Sequence, residues 1–196
     1  MTPFNKLLRG VLMLVFGLGV AGLVWPNSAT TEETSVSLPV EMVADYVHAV
    51  LAADREVYTR HVERMQVKGV VGASENWEEK NTLPLPVQFL MESGRVMAKK
   101  GIGIQYRLIS LWPINKQNLA SSDFEKVGLG TISTHPTKPY TGFVKEGGAR
   151  YFQAVYPDLA VTQACVGCHN AHPDSPKRNF KINDIMGAVV ISIAVK

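Results

Sequence analysis

Both cysteines of this 196-residue chain fall in one pentapeptide, Cys165-Val166-Gly167-Cys168-His169. Two thiols separated by two residues can form thioethers with the two vinyl groups of a single porphyrin, and the imidazole that follows is placed to ligate its iron. The pattern predicts one covalent haem c, with Cys165 and Cys168 as attachment thiols and His169 as proximal ligand. Competing chemistries fit less well. A zinc site could enlist Cys165, Cys168 and His172, but structural zinc takes four ligands and usually two separated pairs. A thioredoxin-like dithiol belongs near an early strand-to-helix junction, whereas this motif lies close to the C-terminus. An ordinary disulfide across so short a gap closes a strained ring.

The N-terminus points to export. Lys6 and Arg9 precede an apolar run over residues 11–25, interrupted only by glycine. Such a start is that of a secretory signal or a signal anchor, assigned here to residues 1–26. With Leu7 and Leu8 the run approaches the roughly 20 residues that span a bilayer. A retained anchor is preferred, with Lys6 and Arg9 in the cytoplasm and the rest on the periplasmic side of the bacterial inner membrane. Signal cleavage and a soluble periplasmic protein are the alternative. Residues 27–38, rich in Ser, Thr and Glu, form a linker, and residues 39–196 form one domain. Of the 20 basic residues, setting aside Lys6 and Arg9 leaves 18 against 17 acidic ones. That balance, with no basic run or Gly-rich phosphate loop, excludes nucleic acid as a partner.

The elements that must position the motif can be read from periodicity. Val43, Val47, Leu51, Tyr58, Val62 and Met65 recur at helical spacing over residues 39–67, predicting a long amphipathic helix that carries His48, Arg55 and His61. Residues 69–85 read as loop. A second helix is predicted over 87–100, with Leu90, Met91, Val96 and Met97 inward and Gly101 as its stop. Residues 102–111 alternate as a strand, 118–127 read as a short helix, and 150–155 and 186–195 as two further strands. An α+β domain with a small antiparallel sheet fits this order.

Several segments share one likeness. Ala44-Asp45-Tyr46-Val47-His48-Ala49-Val50, Leu83-Pro84-Leu85-Pro86, Ser110-Leu111-Trp112-Pro113-Ile114-Asn115-Lys116-Gln117-Asn118 and Arg150-Tyr151-Phe152-Gln153-Ala154-Val155-Tyr156-Pro157-Asp158 carry it. So does the stretch from Cys165 through Ser175-Pro176-Lys177-Arg178 to Asp184-Ile185-Met186-Gly187. Together they resemble a bacterial family of exported c-type haem domains, first catalogued as a domain of unknown function and similar to PAS sensor domains. The resemblance covers roughly residues 39–196. It implies a PAS-like fold with a single haem c, found alone or as the input module of a sensor.

In that family a cysteine can serve as the second axial ligand, and this chain has none left for the task. The candidates for the sixth position are His61 and His48, followed by a methionine such as Met65 or Met91. The two histidines lie 13 residues apart, nearly two heptads, and are expected to point in similar directions. His172 lies too close to His169 to reach the opposite face, and His135 lies in a predicted loop. Arg55, Arg95, Arg150, Lys177 and Arg178 are candidate partners for haem propionates. Tyr58, Tyr106, Tyr151, Tyr156 and Trp112 could wall the pocket, and Asp158 and Asp184 are expected to cap turns.

The expected function is that of a c-type cytochrome-like protein in electron transfer or redox sensing, with a separate redox partner protein. The alternative is a haem-based sensor of NO or CO that signals through a partner. An enzyme is not expected, since no distal acid-base pair is identifiable.

Overall fold

Residues 37–196 are described by a computed structural model of the chain. The proposed signal or anchor at 1–26, and all but the last two residues of the proposed linker, lie outside the described residues. Among the described residues no helix is long and apolar enough to cross a membrane.

The first helix, α1 (Val40–Val67), follows Pro39 and runs for 28 residues with no Gly or Pro inside it. At ~1.5 Å per residue it extends about 42 Å. Val43, Val47 and Leu51 pack from its first half onto the main core, and Val62 is buried further along. Met65, expected on the same stripe, is exposed. The loop that follows contains one helical turn, α2 (Trp77–Lys80), closed by Asn81 in the left-handed region at φ 50°. Helix α3 (Pro86–Lys99) begins with proline at its first position, where the missing N–H is not needed. Gln88 accepts the Leu85 N–H at 2.9 Å and donates to the Glu75 carbonyl at 2.7 Å, so this helix start is tied to the preceding loop. Leu90 is buried as expected, but Val96 is 58% exposed, since nine residues at ~100° each turn it to the face opposite Val87.

Strand β1 (Ile104–Ile109) leads through a short 3-10 turn to α4 (Asp123–Thr134). This helix starts and ends later than the predicted 118–127. Its start is fixed by a capping box: the Ser122 hydroxyl accepts the Glu125 N–H, and the Glu125 carboxylate accepts the Ser122 N–H. His135, expected in a loop, is the C-cap of α4. Strands β2 (Tyr140–Glu146) and β3 (Ala149–Leu159) form a hairpin closed by Gly147 and Gly148 at φ 57° and 82°. Two consecutive left-handed positions are the demand of a type I′ turn, which glycine meets without steric strain. Strand β2 was not foreseen, and β3 extends past the predicted 150–155. Helix α5 (Gln163–Ala171) and strand β4 (Ile185–Val195) complete the chain.

The sheet order is β1-β4-β3-β2, antiparallel throughout. Helices cover both of its faces, which explains why β4 reads as a nearly unbroken apolar run rather than an alternating one. Val189, Ile191 and Ile193 pack toward α1 and α3 with Phe152, Ala154 and Tyr156. Their neighbours Ala188 and Val190 pack toward α4 with Leu129 and Ile132. A third, smaller cluster of Ala160, Phe180 and Met186, joined by Trp112, Cys165 and Val166, sits where β3 ends and β4 begins. That cluster seats α5. The α+β class with a small antiparallel sheet is the architecture observed.

Candidate functional site

Helix α5 is short and anchored from several sides. Its N-terminal turn meets α1, where Glu63 accepts the Ala164 N–H at 3.3 Å. Near its far end the Asn170 amide clamps the returning chain, donating to the Phe180 carbonyl at 3.0 Å and accepting the Phe180 N–H at 2.9 Å. Cys165, Cys168, His169 and His172 are spaced i, i+3, i+4 and i+7, which places them along one helical face. All four line a single cavity of about 1110 Å³. Ligand and cofactor pockets run to about 300–1,000 Å³, so there is space for a large planar group.

The opposite walls come from distant parts of the chain. Arg55, Thr59, Val62 and Gln66 face the cavity from α1, and Val87 and Met91 from α3. Trp77 contributes from α2 and Trp112 from the loop after β1, while Asp158 and Met186 contribute from the strands. On α1 the spacing of 4, 3 and 4 residues keeps the first set on one face, at ~100° per residue.

Charge in the site is held in fixed pairs. Arg55 Nη1 lies 3.0 Å from Asp158 Oδ1, with both side chains nearly buried. Burial pushes the Asp158 carboxyl above the usual carboxylate range, against the pull of Arg55. Arg55 Nε is buried and has no hydrogen-bond partner. Arg107 forks onto Glu125, its Nε donating to Oε1 at 3.0 Å. Burial works to raise the Glu125 carboxyl, but the Ser121 N–H and the Arg107 charge outweigh it and leave the group below its ordinary value. His172 accepts the Asp174 N–H at Nδ1, so its other nitrogen carries the proton and faces Glu75 at 3.1 Å.

The motif residues are in states suited to ligation. Burial lowers the His169 pKa, and His172 and Arg55 act in the same direction, all three favouring the neutral imidazole. Its Nδ1 is buried without a hydrogen-bond partner, and the ring meets Phe180 edge-on at 5.8 Å. Both cysteines are free. Burial raises the Cys168 thiol, with Glu75 and Cys165 adding to the effect. A raised thiol is the reverse of what an exchange-active dithiol needs. Among the described residues, no three His, Cys, Asp or Glu side chains converge to hold a bare metal ion, which leaves the zinc alternative without a cage. Paired free thiols, a neutral imidazole with an unpartnered nitrogen and a cofactor-sized cavity fit a covalently attached porphyrin.

Other sequence expectations need correction. Neither His61 nor His48 lines the cavity. Their separation of 13 residues amounts to ~220° of helical rotation, so they do not share a direction. His61 is exposed; His48 shares the inward stripe but lies two turns before Arg55, where it stacks on Tyr156 at 4.0 Å. Arg55 and Arg95 do line the cavity, but Arg150, Lys177 and Arg178 do not. Arg150 covers Phe143, Lys177 covers Trp112 and Phe180, and Arg178 donates to the Pro173 carbonyl. Of the aromatic residues named earlier only Trp112 is a lining residue. Tyr58 stacks on Phe89, while Tyr106 and Tyr156 belong to the main core. Asp158 is an ion-pair partner rather than a turn cap, whereas Asp184 does cap a turn by accepting the Lys181 N–H at 2.9 Å. Arg107, Glu125 and Trp77 were missed. Arg107 could have been noticed only as the one charged residue of its strand, beside Tyr106 and Leu108.

Fold and site together define a class: an α+β domain whose Cys-x-x-Cys-His motif forms one wall of a cofactor-sized cavity. Within it, the chain belongs to the Tll0287-like family of haem proteins, whose family model, Tll0287, matches residues 32–194. Among solved structures the chain is similar to the cyanobacterial heme-protein Tll0287, with 16% identity and a TM-score of 0.48, covering 81% of this chain and 97% of that chain. No curated protein matches the chain.

Proposed function

We propose that this is an exported c-type cytochrome-like protein with one covalent haem, serving electron transfer or redox sensing. The observation that carries the proposal is the placement of Cys165, Cys168 and His169 on one face of α5, at the wall of a cavity of about 1110 Å³. Bound there, the haem supplies reversible one-electron exchange at its iron.

The chain's own residues set the terms of that exchange. Cys165 and Cys168 would hold the group by thioethers, and the buried surroundings of His169 favour the neutral imidazole that can ligate. Val62, Val87 and Trp112 give the walls apolar surface. Arg55 and Arg107 are committed to Asp158 and Glu125, so their charges orient carboxylates instead of waiting for a ligand. Arg95 is held only loosely by Glu92 at 3.7 Å and is free to meet a propionate. The long helix laid over an antiparallel sheet is compatible with a PAS-like domain, in which a change at the cavity would reach α1 through Arg55. The basic, then apolar, residues 1–26 would place the domain on the periplasmic side of the inner membrane.

The test is production in a host competent for cytochrome c maturation. A thioether-type pyridine haemochrome spectrum is expected, with the colour retained by the protein after acid-acetone extraction. Cys165→Ser/Cys168→Ser should lose the covalent group. A wild-type protein that releases all its haem into acid-acetone, or takes up none, overturns the proposal.

A further inference from the structure

The structure assigns Met91 as the sixth ligand of the haem iron, an inference that rests on the haem reading above. All five histidines of the chain fall within the described residues. His169 lies on α5 and His172 caps its C-terminus, on the attachment side, and His48, His61 and His135 do not line the cavity. Two described methionines do line it, Met91 and Met186. Met186 is 6% exposed and packed with Ala160 and Phe180 in the small cluster that also takes in Cys165. It is therefore committed to the side that carries the attachment helix.

Met91 reaches the cavity from a different wall. It stands on α3, a helix packed on β1 and α1, and is partly buried against the main core. The Leu108 N–H of β1 donates to its Sδ at 3.3 Å. A thioether sulfur has two lone pairs. The strand amide occupies one and fixes the orientation of the side chain, in the way that outer-shell hydrogen bonds steady metal ligands. The other lone pair is left for a soft acceptor in the cavity. Strand β1 is a sheet edge, so the amide that holds the sulfur is one that the sheet leaves unpaired.

Methionine opposite histidine raises the reduction potential relative to a second imidazole. The experiment compares wild type, Met91→Leu and Met91→His by optical spectroscopy, carbon monoxide binding and redox titration. Haem staining of denatured protein is run alongside each. Leucine keeps the volume and removes the sulfur, so folding is preserved. Expected for wild type are a low-spin spectrum, a weak far-red sulfur-to-iron band in the ferric form, and no rapid response of the ferrous form to carbon monoxide. Met91→Leu should lose the far-red band, become high-spin and bind carbon monoxide rapidly. Met91→His should recover a low-spin spectrum at a lower potential.

A wild-type protein without the far-red band, or a Met91→Leu protein that stays low-spin and ignores carbon monoxide, overturns the ligand assignment while the stained haem leaves the proposed function standing. A wild type with no stained haem overturns both.

Discussion

The buried pair between Arg55 and Asp158 offers a demanding test of the cavity wall. Replacing Arg55 by Met keeps most of the apolar stem and removes the charge, leaving a carboxyl group in a site with almost no exposure. Breaking a buried pair in this way costs about 3–5 kcal/mol. With a urea m-value of about 2 kcal/mol/M, the unfolding midpoint should fall by about 2 M. The pH dependence identifies the cause. Burial holds the Asp158 carboxyl above its unfolded value. The folded chain therefore binds this proton more tightly than the unfolded one. The resulting penalty is absent below the unfolded pKa of about 3.9, grows as pH rises, and is complete above the folded value. Losing Arg55 raises the folded value further, so the Arg55→Met deficit should be smaller at about pH 5 than at about pH 8. Asp158→Asn instead strands a guanidinium that cannot deprotonate and removes the carboxyl's own titration, so its deficit against wild type should run the other way, smaller at about pH 8 than at about pH 5. Replacing both, as Arg55→Met/Asp158→Leu, should return stability to wild type or exceed it by about 1–4 kcal/mol. Urea titrations at the two pH values decide the matter. An Arg55→Met deficit below about 1 kcal/mol, equal at both, would refute a desolvated pair.

Three glycines should rank by what a methyl group would meet. A Cβ at Gly187 would lie 2.4 Å from the Ile109 carbonyl oxygen, and one at Gly94 would lie 2.8 Å from that of Tyr106. Gly187→Ala should therefore lower the melting temperature most, by about 3 kcal/mol or more in stability, with Gly94→Ala at about 1–3. Gly130 lies inside α4 with nothing within 4 Å of such a methyl, and Gly130→Ala should stabilise by about 0.5–1 kcal/mol in the same thermal scans. Glu125 presents the opposite titration to Asp158. Its folded pKa is depressed, so its contribution is present above the unfolded value and is lost as pH falls through the folded one. Glu125→Gln should destabilise by about 2–4 kcal/mol near pH 7 and by much less in acid, as read from denaturation midpoints across that range.

Local signals carried the elements whose sequence is locally consistent. The apolar periodicity of α1 and the β-branched run of β4 place both elements to within a residue of their observed bounds. Strand β2 escaped notice because it is an edge strand with mostly exposed side chains and Gly142 inside it. The Gly147-Gly148 pair was the available signal for its hairpin, as Ser122 and Glu125 were for the start of α4. The thiols and His169 lie together in sequence and could be found as a motif. The facing wall could not, because Arg55, Met91 and Arg107 converge only after α1, α3 and β1 have packed. The misjudged pairing of His48 with His61 shows how a heptad count misleads when the true interval is 13 residues.

The order of strands across the sheet has a consequence for how the protein is made. Strand β4 pairs with both β1 and β3, yet it is the last described element to leave the ribosome. Until it emerges, β1 has no sheet neighbour, and the hairpin of β2 and β3 lacks one flank. The pentapeptide with both thiols is thus synthesised, and on export would be delivered across the membrane, before the strand that closes the fold. Vectorial delivery would expose the two sulfurs on an open chain, where a maturation enzyme can reach them, and the late, long-range closure of β4 would then seal the cofactor in place.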